Sequence, residues 1–203
     1  MPGRFFLERE VSEVAAWMGA PGAPDLGVRR NIRPGQALAV LTGEGWREMR
    51  WGMIPVGRVN ARGRPVMETI VNARSETVFD KSAFAGVRRA VVPVDGWYEW
   101  TGERRKKQAW RIAPGDGAPL LFAAIWDVWT APGGQELAQV ATVTCAPSAD
   151  VAPVHDRMGV LLAREDVPVW LKGSEAEARA LCRPWPAGRL EVRPAEGVDW
   201  EGA

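Results

Sequence analysis

Short apolar runs cut by turn residues fill most of this chain, and stretches of helical period are few. One helix is predicted over Glu10–Met18, where Val11, Val14, Ala15 and Met18 share a face before Pro21-Gly22-Ala23-Pro24 ends the run. Ala37–Thr42 and Trp46–Trp51 read as a hairpin around Gly43-Glu44-Gly45. A short helix is expected over Lys81–Gly86. Strands follow at Ala90–Val94, Trp97–Thr101 and Ala109–Ile112, with the charged Glu103–Lys107 segment looping between the last two. Leu120–Trp129 and Leu137–Thr144 form a further antiparallel pair around Pro132-Gly133-Gly134, and Met158–Leu162 is a last core strand. Glu165–Leu171 and Ser174–Leu181 read as helices, the second with Ser174 as N-cap and Glu177 at the reciprocal position. The Pro- and Gly-rich tail after Cys182 reads as irregular.

Strands outnumber helices and pair antiparallel, so the expected class is α+β: a mainly antiparallel, barrel-like sheet core with a few flanking helices. No repeat or long linker interrupts the pattern, and residues 1–203 are expected to form a single domain. The 11 Trp favour strand-rich cores and stacking surfaces. With 26 Lys and Arg against 25 Asp and Glu, the net charge is only +1, so contact with nucleic acid would need a local basic cluster. Cys145 and Cys182 lack metal-type spacing and are expected as buried, reduced thiols. His155 is the single histidine, which removes multi-His metal sites, and no metal or cofactor is expected. No charged-then-apolar leader is evident and no apolar run approaches ~18 residues, so a cytoplasmic protein without membrane contact is expected.

Four segments could carry chemistry. His155-Asp156-Arg157 stands at the entrance of a predicted strand and reads either as an acid/base group or as a surface loop with a local ion pair. In Asp95-Gly96-Trp97-Tyr98-Glu99-Trp100, Trp97 and Glu99 share one face opposite Tyr98 and Trp100. Glu99 is then either a proton-transfer carboxylate framed by aromatics or a solvent-facing edge-strand residue. Asn72-Ala73-Arg74-Ser75-Glu76 offers an amide and a guanidinium to a sugar or phosphate, or else begins a helix capped by Ser75. Asn31-Ile32-Arg33-Pro34-Gly35 reads as a turn before a strand. Cys145 or Ser148 with His155 could form a hydrolase nucleophile, but no third partner is recognisable and a structural thiol is preferred.

The order of these segments is distinctive. Gly3-Arg4-Phe5, Asn31-x-x-Pro34-Gly35, Trp51-Gly52-x-x-Pro55, Asn72-Ala73-Arg74-x-Glu76-Thr77, Arg88-Arg89-x3-Pro93-x-Asp95-Gly96-x-Tyr98-Glu99-Trp100, Phe122-Ala123-x2-Trp126-Asp127, Thr142-x-Thr144 and His155-Asp156-Arg157-Met158 follow one another in the chain. From residue 3 to about residue 171 this series resembles the SOS response-associated peptidase (SRAP) family. The resemblance implies the SRAP fold and a DNA-damage-response protein that binds abasic sites in single-stranded DNA; a monomer is expected. In that family a Cys after the initiator Met captures the sugar aldehyde as a thiazolidine, and the protein releases its own Met. Carried onto this chain, Asn72 would orient the N-terminal residue and the sugar, Glu99 would be the acid/base, and His155 would assist proton transfer. Arg4, Arg74 and Arg157 would contact phosphates, with Thr144 and Asn31 in the same DNA-binding set.

Three departures stand out. Position 2 is Pro2, so neither a thiazolidine nor thiol-dependent self-processing is available. Val56-Gly57-Arg58 replaces the aromatic pair expected after Pro55, and the C-terminal segment is shorter than usual, so the family's closing strand is expected to be missing. Two readings of Pro2 remain. A freed secondary amine could form an iminium with the aldehyde and support β-elimination. Alternatively, the chain is a catalytically reduced homologue that binds or shields DNA without covalent chemistry.

Overall fold

A computed structural model describes residues 2–55, 69–103, 106–131 and 133–202. Its elements run β1 (Phe5–Leu7), α1 (Val11–Met18), β2 (Arg29–Ile32), β3 (Ala37–Thr42), β4 (Gly45–Trp51), β5 (Asn72–Arg74), β6 (Arg88–Val94), β7 (Gly96–Thr101) and β8 (Gln108–Pro114). Then come β9 (Leu120–Thr130), β10 (Glu136–Cys145), β11 (Met158–Gly159), β12 (Leu161–Leu162), α2 (Val167–Lys172), α3 (Glu175–Leu181) and β13 (Leu190–Pro194). The predicted helix at 81–86 is a single 3-10 turn, Ser82–Phe84.

The strands form two sheets. One has the order β13-β8-β7-β1-β2. The other runs β11-β10-β4-β3-β6-β9-β12, and β9 also pairs with β10, which closes β10-β4-β3-β6-β9 into a ring. The barrel-like expectation therefore holds, with one amendment: β10 pairs in parallel with both β4 and β5. No helix among the described residues is long and apolar enough to cross a membrane.

Alternation within the strands sorts the core. Phe5 and Trp97 are paired across β1 and β7 and both face the ring, where Phe5 stacks on Trp51 at 4.3 Å and meets Phe122 edge-on. Trp97 also meets Phe122 edge-on, at 5.5 Å. On the other face of the same sheet, Phe6, Tyr98 and Ala113 form a second cluster, covered by Trp100, Val198 and Trp200. The helices dock outside: the Trp170 ring N–H on α2 donates to the Ala90 carbonyl of β6 at 2.8 Å. Ser174 and Glu177 form the predicted reciprocal cap on α3.

Two sequence expectations need correction. Met158–Leu162 is not one strand: Met158 and Gly159 pair with β10, whereas Leu161 and Leu162 pair with β9. Val160 links the two, its N–H on Val143 and its carbonyl accepting from Ala123. The tail after Cys182 is not wholly irregular either. Leu190–Pro194 pairs with Trp110–Pro114 of β8, so a closing strand is present where none was expected. Pro194 is tolerated because β13 is an edge strand.

Gly96 opens β7 beneath a ring: a Cβ there would lie 2.2 Å from the Ile112 carbonyl and 2.3 Å from the Phe6 ring. Gly96→Ala is expected to lower stability by about 2–3 kcal/mol through overpacking, read as a shift in the urea midpoint.

Candidate functional site

The sequence-predicted residues converge where β1, β5, β7 and the end of β10 meet. Phe5 pairs with Trp97, Phe6 with Gly96, and the Tyr98 N–H donates to the Arg4 carbonyl. Continuing that register puts Gly3 opposite Glu99, beside the buried Pro2. Directly opposed residues present their side chains to the same face, so a glycine at 3 places nothing there in front of the carboxyl group. Glu99 is 4% exposed, which rules out the solvent-facing reading. Burial raises its pKa above the usual carboxylate range, against the pull of the chain's terminal ammonium and of His155.

Asn72 is held from two sides. Its Nδ2 donates to the Pro2 carbonyl at 2.8 Å, and the Thr142 hydroxyl donates to its Oδ1 at 2.6 Å. A flipped amide would set Oδ1 against the Pro2 carbonyl, so the orientation is determined by the partners. Thr142 is fully buried and lies opposite Asn72 in the parallel β10–β5 pairing. Asn72 is thus a strand residue, and the helix capped by Ser75 does not form. Thr142 belongs to the site although its role was invisible in the sequence, where it stood only as one member of Thr142-x-Thr144.

Arg157 lies flat against the end of β10. It forms a two-pronged ion pair with Glu76 at 2.9 Å on each prong, while two more of its five hydrogens go to the Thr144 hydroxyl and carbonyl. Thr144 is fully buried and so serves as the seat of Arg157. The Arg157 guanidinium holds the Glu76 carboxyl down at about 2. Next to it, His155 Nδ1 lies 3.0 Å from the Arg157 N–H and 2.8 Å from Asp156 Oδ1. One nitrogen cannot serve both: without a hydrogen it accepts from the Arg157 backbone N–H, and with one it donates to Asp156.

Arg4 donates to Asn31 Oδ1 at 2.7 Å. Asn31 is buried in β2, not in a turn, and its Nδ2 donates to the carbonyls of Asp199 and Gly202. It therefore positions Arg4 and the tail. Arg74 is exposed at the end of β5. Val56-Gly57-Arg58 lies outside the described residues.

Neither thiol is a nucleophile at neutral pH. Burial pushes Cys145 up to about 12 and Cys182 to about 11. Cys145 is buried as expected, Cys182 only in part. Ser148 is 3% exposed, which leaves the hydrolase reading without an accessible nucleophile. No cluster of three potential metal-ligating His, Cys, Asp or Glu lies among the described residues.

Thr142→Val keeps the shape but removes the donor to Asn72; a loss of about 1–2 kcal/mol is expected in chemical denaturation, from the acceptor left unsatisfied. The Glu76–Arg157 pair has a definite pH signature. Because Glu76 titrates lower folded than unfolded, its contribution is full above about 4.5 and fades as pH falls toward about 2. Glu76→Gln should flatten the stability profile across that window, measured by thermal unfolding at stepped pH.

The chain is similar to several known proteins. An "Abasic site processing protein", YedK of Escherichia coli, is 30% identical over 173 residues, covering 82% of this chain and 76% of its own length. YoqW of Bacillus subtilis, described in the same words, is 27% identical over 173 residues, 80% of this chain and 76% of its own. A crystal structure of a Bacteroides thetaiotaomicron protein shares the fold at a TM-score of 0.83 and 21% identity, covering 96% of this chain and 92% of that one. The sequence pattern called "SOS response associated peptidase (SRAP)" matches residues 1–197, and the chain belongs to that family.

Proposed function

We propose that this protein binds abasic sites in single-stranded DNA and, once Met1 is removed, opens them as a β-elimination lyase through the nitrogen of Pro2. The observation that carries this reading is the grip of Asn72 on the Pro2 carbonyl, with the buried Glu99 facing the same stretch of chain. A tethered Pro2 holds its nitrogen at one place, so an incoming aldehyde meets a nucleophile already fixed in position. The relatives named as abasic site processing proteins supply the substrate class.

The chemistry balances without a cofactor. The secondary amine adds to the ring-opened sugar aldehyde and loses water, giving an iminium. The iminium acidifies the neighbouring sugar carbon. Glu99 takes that proton, the electron pair forms a double bond, and the 3′ phosphate leaves. Water then hydrolyses the iminium and returns the amine. A carboxylate with a raised pKa is the better base for this step, since its proton affinity lies nearer that of the working solution. His155 stands within electrostatic reach of Glu99 and passes protons between the site and solvent. Arg4, Arg74 and Arg157 contact phosphates, Arg157 by a hydrogen left over from Glu76 and Thr144 or by exchange of Glu76. Asn31 and Thr144 act through Arg4 and Arg157 respectively. While Met1 is attached, Pro2 nitrogen is an amide without nucleophilicity, and the protein only shields the lesion.

Incubation with single-stranded abasic DNA and borohydride should trap a cross-link to the mature chain. The same chain carrying an uncleaved N-terminal extension should bind but not trap. Glu99→Gln should keep trapping while strand cleavage falls by about 10²–10³-fold, with loss of the acidic limb of its pH profile. Binding without trapping or cleavage by the mature chain would leave shielding as the function.

A further inference from the structure

Segment 195–202 folds back over the face that carries Arg4 and Asn31. Its Trp200 ring lies 5.3 Å from the Trp100 ring and meets Tyr98 edge-on at 5.0 Å. The Asp199 and Gly202 carbonyls take both hydrogens of the Asn31 amide. The Glu201 carbonyl accepts from Arg33, at 3.4 Å. Arg4 and Arg33 repel one another, and the Glu201 carboxylate offsets that repulsion at Arg4. The segment carries Glu196, Asp199 and Glu201 and no cation.

Each of these features has a counterpart in a single nucleic-acid strand: repeated negative charge, backbone acceptor oxygens, and a flat ring that stacks on exposed aromatics. Tyr98 and Trp100 alternate with Glu99 along β7, so this face lies across the same strand from the buried carboxyl group, and Arg4, two residues from Pro2, belongs to the proposed phosphate-contacting set. We infer that segment 195–202 is a resident competitor that covers the Arg4–Arg33–Trp100 face and must move aside for a DNA strand to engage it. The inference rests on the proposed DNA-binding function and adds regulation to it.

The contacts are suited to exchange. Asp199 and Glu201 are exposed and Trp200 is half-buried, so beyond Ala195, whose N–H donates to the Ala109 carbonyl, the segment lies at the surface as a cover over the second cluster. Its hold on Asn31 is through main-chain carbonyls, which release together once the segment lifts. A strand that must displace it binds with an affinity reduced by the fraction of time the face is covered.

The test is a titration of a fluorescein-labelled single-stranded oligonucleotide with one abasic site, at low and at physiological salt. The proteins are the full chain, Trp200→Ala/Glu201→Arg, and Glu136→Arg, which makes the same charge change at an exposed position on another strand. The double variant should bind about tenfold tighter than the full chain, Glu136→Arg should not match it, and a peptide of residues 195–202 added in excess should weaken the variant's binding. Equal affinity of the full chain and the double variant, or equal tightening by Glu136→Arg, would overturn the competitor reading and leave DNA binding intact. Absence of binding by all three proteins would overturn both.

Discussion

Strand β10 carries partners along both edges, and the order in which they stop decides where the site lies. On one edge β9 pairs as far as Thr142 and β11 takes over at Thr144; on the other, β4 pairs at Gln139 and Val140 and β5 follows from Thr142. A strand supplied from two sides by four neighbours draws its backbone partners near its end from several parts of the chain. That is how Asn72, Arg157 and His155, far apart in sequence, come to one corner. The buried hydroxyls of Thr142 and Thr144 do the fine placement, one fixing an amide and the other seating a guanidinium.

The second sheet supplies the remaining half of the site through a packing constraint. Phe5 and Trp97 are pressed against Phe122 and Trp51, so β1 and β7 cannot slide without exposing rings that are fully buried. Large buried aromatics make a shift of register far costlier than the hydrogen bonds alone would. Glu99 is therefore held in the apolar layer by its neighbours, and its raised pKa follows from the same burial that fixes its position.

Long elements with regular alternation were legible in the sequence. The hairpin of β3 and β4, the pair β9 and β10, and the Ser174–Glu177 cap all lie where pattern placed them. What pattern missed were strands of three to five residues, β1, β2, β5 and β13, whose existence depends on partners elsewhere in the chain. Met158–Leu162 misled because its apolar run is continuous while its partners change at Val160. Among the site residues, Asn72, Glu99 and His155 stood out by motif. Thr142 did not, because a threonine in a strand is ordinary until its neighbour across the ladder is known.

The pairing of β1 with β7 acts as a ruler for the chain's beginning. From Phe5, fixed against Trp97, back to Pro2 is three residues, and each residue of extended chain advances about 3.3 Å and turns to the opposite face. One residue more or fewer between Pro2 and Phe5 would bring a residue other than Gly3 across from Glu99 and turn Pro2 to the opposite face. The length of the segment ahead of Phe5 thus decides which residue lies across from Glu99.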